Sequence, residues 1–558
     1  MGEANFAVII VTETKPKRSL AGIAGIVAIA TLLSKVAGLL REQLIAFAFG
    51  VGVVRAAYDT STILPSFFLI LLGGINGPFH SAMVSALAKR RKEESAPLVE
   101  AISTLIGSIF LVVAIVVFVF APFFIDLLAS GLRQAPPGLD PVEIATRLQT
   151  REIAIQQLRI MAPIAWFAGM IGIGFGALNA ADQYWLPSIS PLISSVTLLV
   201  GLGVFLLTSG TPATNPNYAI TGGIVLAAAT LLGTFFQWIV QFWAQRQSGL
   251  GRFRVRFVWN DPGVQEVFRV MGPALFSSGM LQINVVTDLT FASLLPNAVE
   301  AIPSLTYANF LVQTPLGILS NMILVPFLPI FSRLTDPGQV DQLKARIRQG
   351  MLITAIAMLP LSALIISLAT PIVRVVYERG AFNPEATQLV ASVLMAYAVG
   401  MFVYLGRDVL VRVFYALGDG DTPFKISIVN IFLNAFFDFL FYRPFGIVGI
   451  VLATVSVNIF SVLALLYFLN RRLNGLPLLE WSYPIGGLTA SSILAGTASW
   501  FISNAIANLS GLNGFFLALA QMTIAGSIGL GIFVLLANQL KLPEVDQFSD
   551  RILQRFRR

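Results

Sequence analysis

The feature that most constrains this chain is a succession of apolar segments separated by short polar connections. Each segment is about 20 residues long or more, which is enough for a helix to cross the hydrocarbon core of a bilayer. We place such helices at 20–48, 58–87, 98–125, 152–180, 185–208, 219–244, 265–295, 303–331, 349–376, 386–416, 423–442, 446–469, 483–505 and 514–537. The sequence therefore predicts an all-α polytopic membrane protein with about 14 transmembrane helices.

Composition agrees with lipid as the main solvent and excludes several kinds of chemistry. Of the 558 residues, 56% are hydrophobic and 11% are charged, whereas about 25% are charged in soluble chains. The chain has no cysteine and one histidine, His80, so disulfides, thiol catalysis and zinc centres built from Cys or His are excluded. The loops contain no catalytic motif such as HExxH, GxSxG or a Walker A lysine. We therefore predict a transporter, not an enzyme.

Basic residues fall on alternate connections. Examples are "KRRK" at 89–92, "RQSGLGRFRVR" at 246–256 and "RILQRFRR" at the C-terminus. Positively charged loops mark the cytoplasmic side of a membrane protein, so we expect both termini in the cytoplasm. The net charge of +8 is then explained by topology, and a nucleic-acid partner is not expected.

A weak internal repeat divides the chain. "FAPFFIDLLASG" (120–131) resembles "ATPIVRVVYERG" (369–380), and "FGALNAADQYWLPSISPLI" (175–193) resembles "FYALGDGDTPFKISIVNIF" (414–432). Both pairs are offset by about 240–250 residues, so six helices repeat as six, and we expect two bundles with a cavity between them. The predicted organisation is an N-terminal segment (1–19), an N-lobe (20–244), a basic linker (245–264), a C-lobe (265–470), two further helices (471–540) and a basic tail (541–558).

The first helix carries charges where lipid disfavours them. Its polar or small positions form one stripe, namely Thr31, Ser34, Lys35, Gly38, Arg41 and Glu42. A charge that faces lipid at mid-helix costs at least about 2.5–3.5 kcal/mol, so the stripe is expected to face a water-filled cavity or a partner. Two cations and one acid leave a net positive site, which suits an anionic group such as phosphate. The alternative is an internal salt bridge in which Glu42 neutralises Arg41 or Lys35.

The second helix contains "LLGGINGPFHS" (71–81), in which Gly73, Gly74, Gly77 and Pro78 interrupt the helical pattern. We interpret them as a hinge that lets a gate bend. Close packing of neighbouring helices on small residues is the alternative.

A second polar group is predicted in the C-lobe. Asp288 lies on helix seven, Asn434 and Asp438 lie four apart on one face of helix eleven, and Thr454 lies at a similar depth on helix twelve. Carboxylate, amide and hydroxyl oxygens are hard ligands that suit a small cation such as Na⁺ or a shared proton. The alternative is that Asp438 lies at the membrane interface near Arg443.

The sequence resembles the MurJ (MviN) lipid II flippases of the multidrug/oligosaccharidyl-lipid/polysaccharide exporter superfamily over roughly residues 20–540. The resemblance lies in "LLSKVAGLLREQLIAFAFGVG" (32–52), "LPSFFLILLGGINGPFHSAMVSALAK" (64–89), "YERGAF" (377–382) and "FYALGDGDTPFKI" (414–426). It implies two six-helix lobes, a cationic cavity for a diphosphate-sugar headgroup and a groove for a polyprenyl tail beside helices thirteen and fourteen.

The resemblance also implies location in the bacterial cytoplasmic membrane, coupling to Na⁺ or to the membrane potential, and a cation site at Asp288, Asn434, Asp438 and Thr454. Ser34, Lys35 and Arg41 match its cavity positions. Its expected partners are lipid II, membrane lipids and, as an open alternative, cell-wall synthesis proteins.

The chain departs from the family pattern in the second and eighth helices. Ala56 stands where the family often has an acid, with Asp59 three residues later as a further cavity candidate, and Leu69 and Phe310 stand where arginines are common. With a less positive cavity, either fewer cations suffice for the same diphosphate or the lipid-linked cargo differs. The competing hypotheses are a flippase for another polyprenyl-linked oligosaccharide, a cation-coupled drug antiporter, and a scaffold that recruits wall-synthesis enzymes.

Overall fold

The computed structural model describes residues 20–73, 78–88, 92–134, 138–181, 183, 185–210, 215, 217–252, 254–334 and 336–545. In this part of the chain the regular structure is helical. The α-helices are α1 (Leu20–Phe49), α2 (Val53–Ser61), α3 (Ile63–Leu71), α4 (Pro78–Ala88), α5 (Lys92–Val119), α6 (Ala121–Leu128), α7 (Pro141–Met161), α8 (Ile164–Ala180), α9 (Trp185–Thr208), α10 (Tyr218–Gln247), α11 (Pro262–Ser293), α12 (Ala298–Ser332), α13 (Val340–Ser367), α14 (Ala369–Tyr377), α15 (Pro384–Val399), α16 (Met401–Ala416), α17 (Asp421–Arg472), α18 (Leu478–Leu509), α19 (Gly514–Ala520) and α20 (Gly526–Gln539).

These helices confirm an all-α polytopic membrane protein. Among the described residues, nine helices are long and apolar enough to cross a membrane, and ten if the bent pair α7 and α8 counts as one span. A described helix occupies each predicted position, although several predicted helices are broken into two or three pieces. The segments are apolar on most of their surface, as expected of helices that face lipid on one side and each other on the other side.

The second predicted helix, 58–87, is divided in the structure, at the predicted interruption and at one further place, Thr62. The structure has α2, α3 and α4 in its place, and α2 begins five residues earlier than predicted, at Val53. Gly52 precedes α2 in an extended conformation (φ −90°, ψ −172°), so the helix starts as soon as the chain has turned at the end of α1. α3 ends at Leu71 and α4 begins at Pro78, because proline is tolerated in the first turn of a helix but not in its interior.

The predicted repeat has a structural counterpart. α5 and α13 are both 28 residues long, and each is followed after one residue, Phe120 or Leu368, by a short helix, α6 or α14. Four residues then separate α8 from α9 and α16 from α17 in the two halves. We therefore call α1–α10 the first lobe and α11–α17 the second lobe.

α17 spans both of the predicted helices 423–442 and 446–469. It is 52 residues long, with Pro444 inside it and a non-helical residue, Gly446 (φ 58°, ψ −137°). A positive φ is readily adopted by glycine, and proline removes a helical hydrogen bond. The break therefore lies where the sequence predicted it.

Buried apolar side chains form one large cluster in the second lobe and three in the first, with a few residues of the other lobe joining them. α18 and α20 pack on α13 and on each other. Gly496 of α18 meets Ala363 there, and Gly529 of α20 meets Leu364 and Ser499, since small residues let membrane helices approach closely. The domain limits predicted from the sequence remain a prediction.

Candidate functional site

A cavity of about 630 Å³ lies between the lobes. α2 and α3 of the first lobe line one side, and α11, α12, α15, α16 and α17 of the second lobe line the rest. Its polar lining includes Asp59, Thr62, Ser66, Gln282, Asn284, Asp288, Thr306, Asn309, Gln313, Tyr397, Tyr404, Arg407, Asp408, Ser427, Asn430, Thr454 and Asn458. Amide and hydroxyl groups in an apolar helical protein need water or a ligand to satisfy them, so the cavity is suited to a polar molecule.

The charged groups of this lining are Asp59, Asp288, Asp408 and Arg407. Three carboxyls and one guanidinium give the cavity wall an acidic bias, whereas the sequence predicted a net positive site. Arg407 donates a hydrogen bond to Asn458 Oδ1 at 3.0 Å, which fixes its position on the wall.

The four residues of the predicted cation site come together in the second lobe. Asn434 Nδ2 donates to Asp288 Oδ1 at 2.7 Å and to Asp438 Oδ2 at 2.8 Å. Thr454 Oγ1 donates to Asp288 Oδ2 at 3.2 Å. The sequence predicts these residues at a similar depth on three helices. In the structure those helices are α11 and the two halves of α17, and they meet at a single polar cluster.

This cluster fits a small hard cation. Asn434 and Asp438 are fully buried, and Oδ1 of each is a buried acceptor without a hydrogen-bond partner among the described residues. Asp288 and Thr454 also line the cavity, which provides a path to the cluster. Unpaired carboxylate and amide oxygens next to a second carboxylate are the donor set that Na⁺ or a proton would satisfy.

On the first helix, the predicted internal salt bridge is present. Arg41 Nη2 lies 3.0 Å from Glu42 Oε1, and the Arg41 side chain is 34% exposed while that of Glu42 is 7% exposed. Arg41 can still bind a further group, because a guanidinium has five N–H donors and about a third of the Arg41 side chain is exposed.

Arg55 is a buried cation that was not among the site residues predicted from the sequence. Its side chain is 1% exposed, with Nη2 2.8 Å from Glu42 Oε2 and Nε 3.0 Å from Asp59 Oδ2. Its guanidinium carbon also lies 4.5 Å from the ring centroid of Tyr307 on α12. Two carboxylates and an aromatic face compensate the charge of Arg55, although its Nη1 is buried without a hydrogen-bond partner among the described residues. Asp59 contacts this cation and also lines the cavity.

The other predicted cavity residues lie elsewhere. Ser34, Lys35 and Arg41, all within the described residues, are not part of the cavity lining. Lys35 is exposed, and its Nζ lies 3.8 Å from the position that a Cβ would take at Gly317 of α12. Ser34 Oγ is buried with no hydrogen-bond partner in the described residues. α1 therefore places these groups beside the second lobe but outside the enclosed volume.

The predicted hinge coincides with the break between α3 and α4. Gly73 is buried there, and a Cβ on it would lie 3.1 Å from the Leu69 carbonyl oxygen and 3.4 Å from that of Ala168. This packing supports the small-residue interpretation at Gly73. Gly74 and Gly77 lie outside the described residues, and Pro78 is the first residue of α4.

One end of the cavity is closed by contacts between the lobes; we call it the Gly50 end. The amide of Ala381 donates to the Phe47 carbonyl at 2.8 Å, and Tyr307 Oη donates to the Gly50 carbonyl at 3.0 Å. Gly380 has φ 61°, and a Cβ on it would lie 2.5 Å from the Phe47 oxygen. The motif "YERGAF" thus places the second lobe against the end of α1. A side chain at Gly380 would collide with Phe47, so this position requires glycine.

A second contact at the Gly50 end is centred on Arg147 of α7, which is 1% exposed. Its guanidinium donates to the carbonyl oxygens of Gly131 at 2.8 Å, Ser293 at 3.1 Å, Pro296 at 2.8 Å and Leu295. The carbonyls at the end of α11 have no partners within the helix, and the negative end of the helix dipole favours a cation. This arginine of the first lobe therefore holds the second lobe.

Comparisons with known proteins give one consistent result. A family model described as "Lipid II flippase MurJ" matches residues 45–521. A protein of Synechocystis sp. (strain ATCC 27184 / PCC 6803 / Kazusa) named "Probable lipid II flippase MurJ" is 54% identical over 544 residues, which covers 98% of this chain and 99% of that protein.

Two solved structures show the same fold. "Lipid II flippase MurJ, inward closed conformation" has a TM-score of 0.71 at 21% identity and covers 92% of this chain and 98% of its own. An "inward-facing conformation of a multidrug resistance MATE family transporter of the MOP superfamily" has a TM-score of 0.62 at 16% identity, with coverages of 81% and 98%. At these identities the likeness concerns the fold alone.

Proposed function

The chain belongs to the MurJ family of lipid II flippases, and from that premise we propose that it moves lipid II from the cytoplasmic to the outer leaflet of the bacterial cytoplasmic membrane, for peptidoglycan biosynthesis. The observation that carries the proposal is a polar cavity between two lobes that is sealed at one end by contacts between those lobes. Such a cavity can expose a site to one side of the membrane at a time.

In the proposed cycle, the headgroup enters while the Gly50 end is closed. Arg41 and Lys35 are the cations that α1 offers to a diphosphate beside the cavity, in addition to Arg407 on the cavity wall, whereas Arg55 of α2 is already compensated by two carboxylates. A guanidinium can hold phosphate oxygens with two parallel hydrogen bonds, and an ammonium adds a mobile charge. Arg147 and the "YERGAF" segment must then release their partners so that the headgroup leaves at the Gly50 end.

We further propose that Na⁺ binding at Asp288, Asn434, Asp438 and Thr454 drives this cycle. When bound, the ion would supply positive charge to the carboxylates of Asp288 and Asp438. Asp288 and Thr454 also face the cavity between the lobes, so the charge state of this cluster would influence how the lobes associate. The proposed cycle breaks no covalent bond, so we assign the chain no enzymatic activity.

The polyprenyl tail needs an apolar surface outside the headgroup cavity. α18, α19 and α20 expose apolar side chains such as Ile493, Leu494 and Leu535, which are 61%, 58% and 67% exposed. We propose that this pair of C-terminal spans holds the tail beside α13. The proposed topology has both termini in the cytoplasm, on the basis of the alternating basic connections; binding to cell-wall synthesis proteins stays a prediction.

Family membership favours this function over drug antiport or scaffolding. The test is to express the chain in a bacterium whose own lipid II flippase is depleted and to measure growth and the leaflet distribution of lipid II. We expect growth to be restored and lipid II to reach the outer leaflet. Continued accumulation in the cytoplasmic leaflet, with the protein inserted at normal levels, would overturn the proposal.

A further inference from the structure

A strap of irregular chain, described at residues 251–252 and 254–260, lies against α5 of the first lobe. The amide of Arg252 donates to Glu100 Oε1 at 2.9 Å, and the amide of Arg256 donates to Thr104 Oγ1 at 2.9 Å. Thr104 Oγ1 in turn donates to the Arg254 carbonyl at 3.2 Å. The strap is thus fixed to the helix through its backbone, and its side chains are left for other contacts.

The strap alternates between basic and apolar side chains. Arg252, Arg254 and Arg256 occupy every second position. Val255 lies between the last two and Phe257 follows them, and these apolar side chains are 72% and 69% exposed. Exposed apolar side chains interleaved with arginines are typical of a segment that lies in the interface between lipid and water.

Under the strap lies a second cavity, of about 390 Å³. Its wall combines aromatic and apolar side chains of α5, α8 and α10 with the strap itself, and its lining comprises Ser103, Thr104, Gly107, Ser108, Leu111, Trp166, Met170, Trp238, Phe242, Gln245, Arg252, Arg254, Val255 and Phe257. Trp166 and Trp238 pack edge to face with ring centroids 5.2 Å apart. The volume lies within the range of about 300–1,000 Å³ found for ligand pockets.

We propose that this pocket, which is separate from the transport cavity, binds an anionic phospholipid, with an acyl chain against the two tryptophans and the phosphate against Arg252 and Arg254. Leu111 on its wall is 53% exposed, so the pocket borders the surface that faces lipid. The ligand is therefore an amphiphile delivered from the bilayer, and its headgroup lies at the basic strap.

The charges of the strap favour a lipid with an anionic headgroup. Arg256 lies 4.0 Å from Glu100, whereas Arg252 and Arg254 have no ion-pair partner in the described part of the chain, and both are exposed. A phosphate would provide two acceptor oxygens for these guanidinium groups. Basic residues near an anionic membrane surface contribute about 1 kcal/mol each, and indole rings favour the same interfacial depth.

The test uses the full-length protein in a mild detergent and native mass spectrometry, with phosphatidylglycerol or phosphatidylcholine added. Because a membrane protein binds many lipids weakly, the readout is the difference between the wild type and Arg252→Gln/Arg254→Gln. We expect the double variant to lose about tenfold in affinity for its tightest phosphatidylglycerol and to bind phosphatidylcholine unchanged. Ser108→Phe, which fills the pocket, should weaken the binding of both lipids.

The control is Arg346→Gln/Arg471→Gln, which removes the same charge from exposed positions on the second lobe and should bind phosphatidylglycerol like the wild type. Thermal unfolding of each variant checks that it is folded. Three results would overturn the proposal: equal losses in the two double variants, unchanged binding in Ser108→Phe, or displacement of the lipid by soluble glycerol 3-phosphate, which would indicate a site for free phosphate.

Discussion

Arg147 of α7 donates a hydrogen bond to the carbonyl oxygen of Ser293, 3.1 Å away at the last residue of α11. The two residues belong to different lobes, and the guanidinium is buried. It also binds the carbonyl of Gly131 in its own lobe, so one side chain joins the turn that follows α6 to the end of α11. A transporter that opens at the Gly50 end has to break this contact in every cycle.

We expect Arg147→Ala to shift the protein toward a state that is open at the Gly50 end. Carbonyls left unpaired in the closed state cost about 1–3 kcal/mol each, and 1.4 kcal/mol corresponds to about tenfold in population. The chain has no cysteine, so Leu305→Cys on the cavity wall is a background-free reporter. Its labelling by an impermeant maleimide from outside should rise about tenfold in the Arg147→Ala background.

The control for this measurement is Arg133→Ala, which removes an arginine at the same end of the protein. Arg133 is 62% exposed and pairs with Asp126 at 3.1 Å, so its loss should leave labelling at the wild-type level. If both variants raised the labelling equally, Arg147 would not be a specific contact between the lobes.

Gly131 is a second test of closure, because it touches the same helix end. A Cβ on Gly131 would lie 2.0 Å from the Ser293 oxygen, a distance at which one backbone must move. We expect Gly131→Ala to raise the Leu305→Cys labelling as Arg147→Ala does, at a cost to the closed state of about 1–3 kcal/mol. Gly203→Ala, where a Cβ would meet nothing within 4 Å, should leave labelling unchanged. If Gly203→Ala raised the labelling and Gly131→Ala did not, the closure at the Gly50 end would be contradicted.

Periodicity along the sequence reveals where the helices lie but not where they break. Apolar length predicted where helices lie, and depth along the helices predicted that Asp288, Asn434 and Asp438 would meet, since both follow from rise per residue. The breaks after α5 and α13 were not predicted, because Phe120 and Leu368 are apolar and interrupt no pattern.

Two buried arginines were missed for a related reason. Arg55 lies before the predicted start of the second helix, and Arg147 lies in a stretch of mixed charge between two predicted helices. Both are helical in the structure. The spacing of Arg55 four residues before Asp59 is an ion-pair signal only on a helix that includes both residues, as α2 does. The partners of Arg147 are backbone carbonyls of another lobe, which no local pattern reveals.

The cation site predicts a salt-specific change in stability. A ligand at about ten times its dissociation constant stabilises a folded protein by about 1.4 kcal/mol. We expect NaCl to raise the Tm of the purified wild type above its value in choline chloride, and Asp438→Asn to abolish most of that rise. The matched control is Asp408→Asn, which removes a carboxyl from the same cavity but outside the cluster, and it should keep the Na⁺ effect. A Na⁺ effect that survives in Asp438→Asn and disappears in Asp408→Asn would place the ion elsewhere.

Asp419 in the "FYALGDGDTPFKI" motif predicts a dependence of stability on pH. It accepts hydrogen bonds from the Thr422 amide at 2.9 Å and hydroxyl at 2.8 Å, and its Oδ2 lies 2.5 Å from Arg472 Nη1. Burial alone would raise the pKa of Asp419, but these hydrogen bonds and the charge of Arg472 lower it below its ordinary value. The carboxylate therefore stabilises the fold above the unfolded-state pKa of about 3.9, and this contribution is lost as the pH falls through the folded pKa.

We expect the Tm of Asp419→Asn to lie about 1–3 °C below that of the wild type at pH 7. Below about pH 4 this difference in Tm should become smaller. Asp336→Asn, at an exposed residue outside these contacts, is the control and should track the wild type throughout. A difference between Asp419→Asn and wild type that stays constant from pH 7 to pH 3 would show that the carboxylate charge contributes nothing to stability.

The charges on α1 give the prediction that bears most directly on transport. Arg41 and Arg55 share Glu42, but only Arg55 has a second carboxylate, Asp59, and is fully buried. Loss of Arg41 leaves the Glu42–Arg55–Asp59 group intact, whereas loss of Arg55 leaves the buried Asp59 carboxylate without a cation and Glu42 with Arg41 alone, which costs about 3–5 kcal/mol. Arg41→Ala should therefore insert and fold normally yet fail to complement a flippase-deficient strain. Arg55→Ala should instead have a clearly lower Tm than the wild type.

The conservative variants separate binding from structure at the same positions. Arg41→Lys keeps the charge but loses the forked pair of donors that suits a diphosphate, so we expect partial complementation, and Lys35→Arg should be tolerated. Growth is to be compared at matched membrane levels of each protein, with Tm as the measure of folding. If Arg41→Ala grew like the wild type at equal expression, the ion pair between Arg41 and Glu42 would be purely structural, and the diphosphate would have to be held by other groups.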